Sequence, residues 1–169
     1  MKTYLALAII GLGLPTASVA AAQPGQPASS HAGGGHQSVA HPSAAIEAVL
    51  KSYEQALDSS DVGGVVQLYT DDAVVLAPNA PSAAGIDAVR ATYTGIFHAI
   101  DIDLTFKITE VKIVSPSWAF LRSTSNGSIT ILASGAQVPS SNQELFVLHK
   151  SQGNWKLARY SFSSVLPST

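Results

Sequence analysis

Ile102-Asp103-Leu104-Thr105-Phe106-Lys107-Ile108-Thr109-Glu110-Val111-Lys112-Ile113 is the stretch whose reading decides the fold. Up to Ile108 every second residue is apolar, the period of a β-strand with one face on a core. Val111 and Ile113 then fall on the opposite parity. A regular strand would turn half of that apolar set to water, so a bulge or bend is expected near Thr109-Glu110. Downstream, Trp118 to Leu132 reads as a second long strand with an irregularity at Asn126-Gly127, and Gly135 to Pro139 as the hairpin closure. Ser141 to Lys150 and Trp155 to Val165 form the last pair, joined at Gln152-Gly153-Asn154 by residues suited to a two-residue turn.

Upstream the period changes to that of a helix. Ile46, Val49, Leu50, Tyr53 and Leu57 share one face behind Pro42 and the potential cap Ser43. Asp61 is placed to cap a second, shorter helix carrying Val62, Val65, Val66 and Tyr69, which Gly63 and Gly64 weaken by about 1 kcal/mol each. Ala73 to Ala77 reads as a short buried strand ended by Pro78-Asn79-Ala80-Pro81. Ile86, Val89, Tyr93, Ile96, Phe97 and Ile100 mark a third helix entered from Gly85. Three helices and one early strand, followed by an antiparallel meander, make an α+β fold with the helices on one face of a curved sheet.

The chain starts with Lys2, an apolar run from Leu5 to Leu14, Pro15 and the small residues Ala17 to Ala22. That three-part order is the build of a secretory signal peptide over residues 1–22, and the run breaks too early for a membrane anchor. The expectation is a secreted or periplasmic protein with no membrane attachment in its mature form. Residues 23–42 are rich in Gly, Pro, Ser and Gln and have almost nothing to bury, so they read as a flexible linker. Its histidines, His31, His36 and His41, recur every five residues without an acidic or thiol companion, and no metal site is inferred. The folded domain is expected over 43–167.

Composition excludes several functions. With 169 residues, 46% of them hydrophobic, the chain suffices for one core. Nine Lys and Arg against eleven Asp and Glu give a net charge of −2, which does not suit phosphate-backbone binding, so no nucleic-acid partner is expected. Cysteine is absent, and core burial must hold an exported form together without disulfides. No phosphate loop, nucleophile elbow or metal-ligand spacing appears in the domain, and no cofactor is called for.

Tyr53, the segment Asp61 to Val75 with its Tyr69-Thr70-Asp71-Asp72-Ala73 centre, the entry Gly85-Ile86-Asp87-Ala88-Val89 and the finish Trp155-Lys156-Leu157-Ala158-Arg159-Tyr160-Ser161-Phe162 together resemble the nuclear transport factor 2-like superfamily, its SnoaL-like branch most of all. The resemblance implies a cone of three helices on a strongly curved antiparallel sheet, a cavity at the open end, and frequently a homodimer through the outer sheet face. Its members include ketosteroid isomerase, polyketide cyclases and epoxide hydrolases, beside others that only bind or assemble. Carried over residue by residue, the isomerase pattern puts its oxyanion tyrosine at or within a turn of Tyr53. It puts the base at Ala77, which can accept no proton, and the protonated acid near Gln143.

With Phe162 inward by the resemblance, Tyr160 and Ala158 share its parity. On the neighbouring strand Gln143, Leu145, Val147 and His149 lie on one face and Asn142, Glu144, Phe146 and Leu148 on the other. An outer face bearing Phe146, Leu148, Trp155 and Leu157 would suit dimerisation. Ligand-binding candidates are Tyr53, Ser125, Gln143, Tyr160 and Phe162, around an apolar small molecule. Catalytic candidates are Tyr53, Glu144 and His98. Glu144 with Arg122 and Arg159 reads either as an arginine-tuned base or as a cross-strand ion-pair cluster. Binding with proton transfer or hydration, and a non-catalytic association domain with a filled cup, both remain open.

Overall fold

A computed structural model describes residues 42–165. The expected signal peptide, most of the expected linker and the histidines at 31, 36 and 41 lie outside the described residues. The order of elements is α1 Ala44–Asp58, α2 Val62–Gln67, β1 Tyr69–Leu76, β2 Ala83–Ala84, α3 Ile86–Ala99, β3 Ile100–Ser115, β4 Trp118–Ile131, β5 Ala136–Ser151 and β6 Asn154–Ser164. The six strands make one sheet ordered β2-β1-β6-β5-β4-β3, antiparallel except where β1 runs parallel to β6. The helices cover its inner face through Ile46, Val49, Leu50, Tyr53, Val65, Val89, Tyr93 and Phe97. This is the expected α+β cone.

The bend in β3 falls where the parity flip requires it. Pairing with β4 slips between Ile108 and Glu110, leaving Thr109 as an extra residue. Ile102, Leu104, Phe106 and Ile108 therefore join the core, and Val111 joins it again after the slip. Another slip lies between Val147 and Leu148 of β5 and makes Ala158 the extra residue on β6. Gly127 keeps β4 in register with both neighbours, but it does so at a φ of 158°. A β-carbon there would sit 2.0 Å from the carbonyl oxygen of Asp103 on β3, so only glycine allows the strands to pair this closely.

Several local expectations are corrected. Ser43 occupies the N-cap of α1 with helical dihedrals and makes no side-chain cap bond, whereas Asp61 does cap α2, accepting from the Gly64 N–H at 2.9 Å. Tyr69 starts β1 and is not on α2, because the two glycines leave that helix only six residues. The β4–β5 turn lies before Ala136, and Pro139 is a strand residue opposite Ser128. The turn at Gln152-Gly153 has φ of 50° and 84°, as a two-residue hairpin turn demands.

Candidate functional site

The inner face of the sheet changes character along its strands. On β5, Leu148 and Phe146 are apolar, and then Glu144, Asn142 and Ser140 follow on the same face; on β4, Ala119 and Leu121 give way to Ser123 and Ser125. All of these are buried. Register sets Ser123 opposite Glu144, Ser125 opposite Asn142 and Gly127 opposite Ser140, which forms a two-strand polar field on the core side of the sheet.

Most of this field is hydrogen-bonded. The Asn142 amide donates to Ser125 Oγ at 3.1 Å and to Ser140 Oγ at 3.2 Å. The Tyr160 hydroxyl donates to Glu144 Oε2 at 3.0 Å. Above lies a set of tyrosines from α1, β1, α3 and β6. The Tyr93 hydroxyl is 2.7 Å from that of Tyr53 and 2.9 Å from that of Tyr69, so it forms the hub of a buried hydroxyl chain. The Tyr53 ring meets Phe106, Phe146 and Tyr160 edge-on, and Tyr160 stacks between Phe146 and Phe162.

Electrostatics follow from that enclosure. Burial pushes the Glu144 carboxyl from its ordinary value of 4.5 up to about 7, against the opposing pull of hydrogen bonds from Ser125 and Tyr160. Burial also pushes Tyr93 to about 12 and holds Tyr53, Tyr69 and Tyr160 well above the usual phenol range. The tyrosines are thus neutral near pH 7, and Glu144 is poised between its two forms. Among the described residues no group of three His, Cys, Asp or Glu side chains is placed to hold a metal ion.

The structure brings together Tyr53, Ser125, Glu144, Tyr160 and, half-buried at the edge of the stack, Phe162. Gln143 is not with them. It is exposed on the outer face and donates to Ser163 Oγ at 3.0 Å, and its neighbour Glu144 is the residue that faces the core. His98 is exposed on the last turn of α3 and takes no place in the interior. His149 lies on the outer face against the Trp118 ring at 4.4 Å. Ala77, just past β1, supplies no proton acceptor.

The trio of Glu144, Arg122 and Arg159 does not exist in either of its expected forms. Strand alternation points Glu144 inward and both arginines outward, where Arg122 pairs with Glu110 at 3.2 Å and Arg159 with Asp72 at 3.3 Å. Asp72 thus serves an exposed ion pair, and hydrogen bonds from Thr70 and Arg159 lower its pKa. The expected outer patch is also reassigned. Phe146, Leu148 and Leu157 are fully buried core residues, and the outer face carries Trp118, Phe120, Leu145 and Val147 instead.

Sequence reasoning missed Ser123 and gave no role to Asn142 or Ser140. The available signal was the alternation Ser123-x-Ser125 beside Ser140-x-Asn142-x-Glu144, a polar run on a parity that is apolar further along both strands.

Comparison with known proteins places this geometry. The family model for the SnoaL-like domain matches residues 49–157. The chain belongs to the SnoaL-like domain family. The comparison with curated proteins gave no match. Among solved structures, a ketosteroid isomerase-like protein from Erwinia carotovora atroseptica is 39% identical with a TM-score of 0.71, over 73% of this chain and 96% of that one. An NTF-2 like protein of unknown function from Shewanella oneidensis is 20% identical with a TM-score of 0.60, over 73% of this chain and 99% of that one. A domain of unknown function with a cystatin-like fold from Nostoc punctiforme is 15% identical with a TM-score of 0.61, over 73% and 76%. The last two likenesses concern the fold of this SnoaL-like domain alone.

Proposed function

We propose that this SnoaL-like domain binds a small neutral molecule inside its cone and moves a proton on it, with Glu144 as the acid–base group. One observation carries the reading: Glu144 is buried on the core side of the sheet among hydroxyl groups, while Arg122 and Arg159 face the opposite side and pair elsewhere. An acid so placed lowers the stability of the fold, and a side chain that only filled space would be apolar. With a pKa of about 7 it is matched to proton transfer near neutral pH. The neutral hydroxyls of Tyr53 and Tyr160 suit a ligand oxygen, and an anion would meet Glu144 without a compensating cation.

The protein is further proposed to be exported, on the strength of its leader, and to pair as a homodimer through Trp118, Phe120, Leu145 and Val147 of the outer face. The alternative of an association domain with a filled cup draws support from the close ring contacts of Tyr53 with Phe106, Phe146 and Tyr160. Native mass spectrometry of protein purified from its own host separates the two. Catalytic binding predicts an added small mass that Glu144→Leu abolishes while the dimer persists. A dimer free of added mass in both proteins sinks the acid–base reading and favours association.

A further inference from the structure

Ser123 is 3% exposed, and its hydroxyl is, among the described residues, the one buried side-chain polar atom without a hydrogen-bond partner. Its neighbours on the same face are paired: Ser125 and Ser140 with Asn142, and Glu144 with Tyr160. An unpaired buried hydroxyl is costly to a fold, and an alanine, as at position 119 on the same face, would remove the cost. Register places Ser123 on one inward rung that runs Ile108, Ser123, Glu144, Phe162 across four strands. At the β3 end of this rung, Ile108 lines a hollow of about 380 Å³ between α1 and β3, together with Leu50 and Phe106. The orphan hydroxyl thus stands one strand inward from open space and one strand short of the acid.

We propose that Ser123 is a specificity residue that binds a second oxygen function on the ligand, one strand spacing from the oxygen that meets Glu144. The ligand class is a neutral compound with two oxygen functions about 4.8 Å apart, the β-strand spacing, and an apolar body directed toward Ile108 and Phe106. The rim of the hollow carries Glu47, Glu54 and Asp58 against Lys51 alone, which disfavours an anionic body there. This inference rests on the interior site proposed above.

The test uses two ketones that differ by one hydroxyl, 4-phenylcyclohexanone and 4-hydroxy-4-phenylcyclohexanone, titrated into the full-length protein and followed by ligand-observed NMR. The wild type is expected to bind the hydroxyketone about tenfold more tightly, the worth of one well-made hydrogen bond to a buried partner. Ser123→Ala is expected to lose or reverse that preference, through weaker binding of the hydroxyketone. In ligand-free protein its unfolding midpoint should stay level or rise, since no native bond is lost. A wild type without preference, a preference that survives Ser123→Ala, or a lowered midpoint overturns the role of Ser123 while leaving Glu144 in place. Binding of neither ketone, or binding untouched by Glu144→Leu, overturns the interior site itself and Ser123 with it.

Discussion

Replacing Glu144 with glutamine gives the sharpest test of the interior, because glutamine keeps the shape of the protonated acid and cannot ionise. A carboxyl that moves from 4.5 to about 7 on folding holds its proton more firmly in the native state than in the unfolded chain. The sign follows from linkage: the native state binds more protons between these values, so stability is full below about pH 4.5 and is lost as pH rises through 7. At 1.36 kcal/mol for each pH unit, the loss levels off on the order of 3 kcal/mol above pH 8. In Glu144→Gln that slope disappears. The amide can still accept from the Tyr160 hydroxyl and can donate to Ser125 Oγ, so the bonds around it survive. Urea unfolding of both proteins from pH 4.5 to 8.5 reads the difference directly. The variant should match the wild type at pH 4.5 and exceed it by about 3 kcal/mol at pH 8.5. Parallel profiles, or a wild type that gains on the variant as pH rises, would refute the claim that Glu144 sits uncompensated in the core.

Further outcomes follow from the same geometry. Tyr93→Phe removes the shared partner of two buried hydroxyls and should cost about 3 kcal/mol, against about 1 kcal/mol for Tyr69→Phe, which leaves the Tyr53–Tyr93 bond intact; urea unfolding compares them. Gly127→Ala should lose more than about 2 kcal/mol because the methyl meets the Asp103 carbonyl, whereas Gly95→Ala in α3, with open space around it, should gain up to about 1 kcal/mol. Leu145→Lys on the outer face should convert a dimer to a monomer in light scattering while circular dichroism stays unchanged; a surviving dimer would move the interface elsewhere.

Spacing made much of the fold legible. Ile108 and Val111 stand three apart in an otherwise alternating strand, and the extra residue at Thr109 lies between them. Leu157 and Tyr160 stand three apart for the same reason, with Ala158 as the surplus, and that second cue went unread. Without it, counting back from the Gln152-Gly153 turn pairs Tyr160 with Leu145. With it, Tyr160 faces Phe146 and Phe162 faces Glu144. One residue of slip therefore exchanged Gln143 for Glu144 inside the cone and moved Phe146, Leu148 and Leu157 from the surface to the core. Composition could not repair the error, since Leu145 and Val147 are as apolar as Phe146 and Leu148 and a charged residue is ordinarily assigned to water. Tyr53 was legible from its helical stripe together with the family resemblance. The hydroxyl chain through Tyr93 and Tyr69 was not, because it joins residues from three elements whose meeting only tertiary packing determines.

β6, the last of the described strands in chain order, lies between β1 and β5 and supplies Leu157 and Tyr160 to the core. An incomplete chain therefore has no wall against which Tyr53 and Tyr69 can close, and its early helices must wait for residues about a hundred positions later. Such long-range closure slows folding and leaves apolar surface uncovered in the meantime. Premature termination anywhere before Trp155 should accordingly yield an aggregation-prone polypeptide and not a smaller working domain.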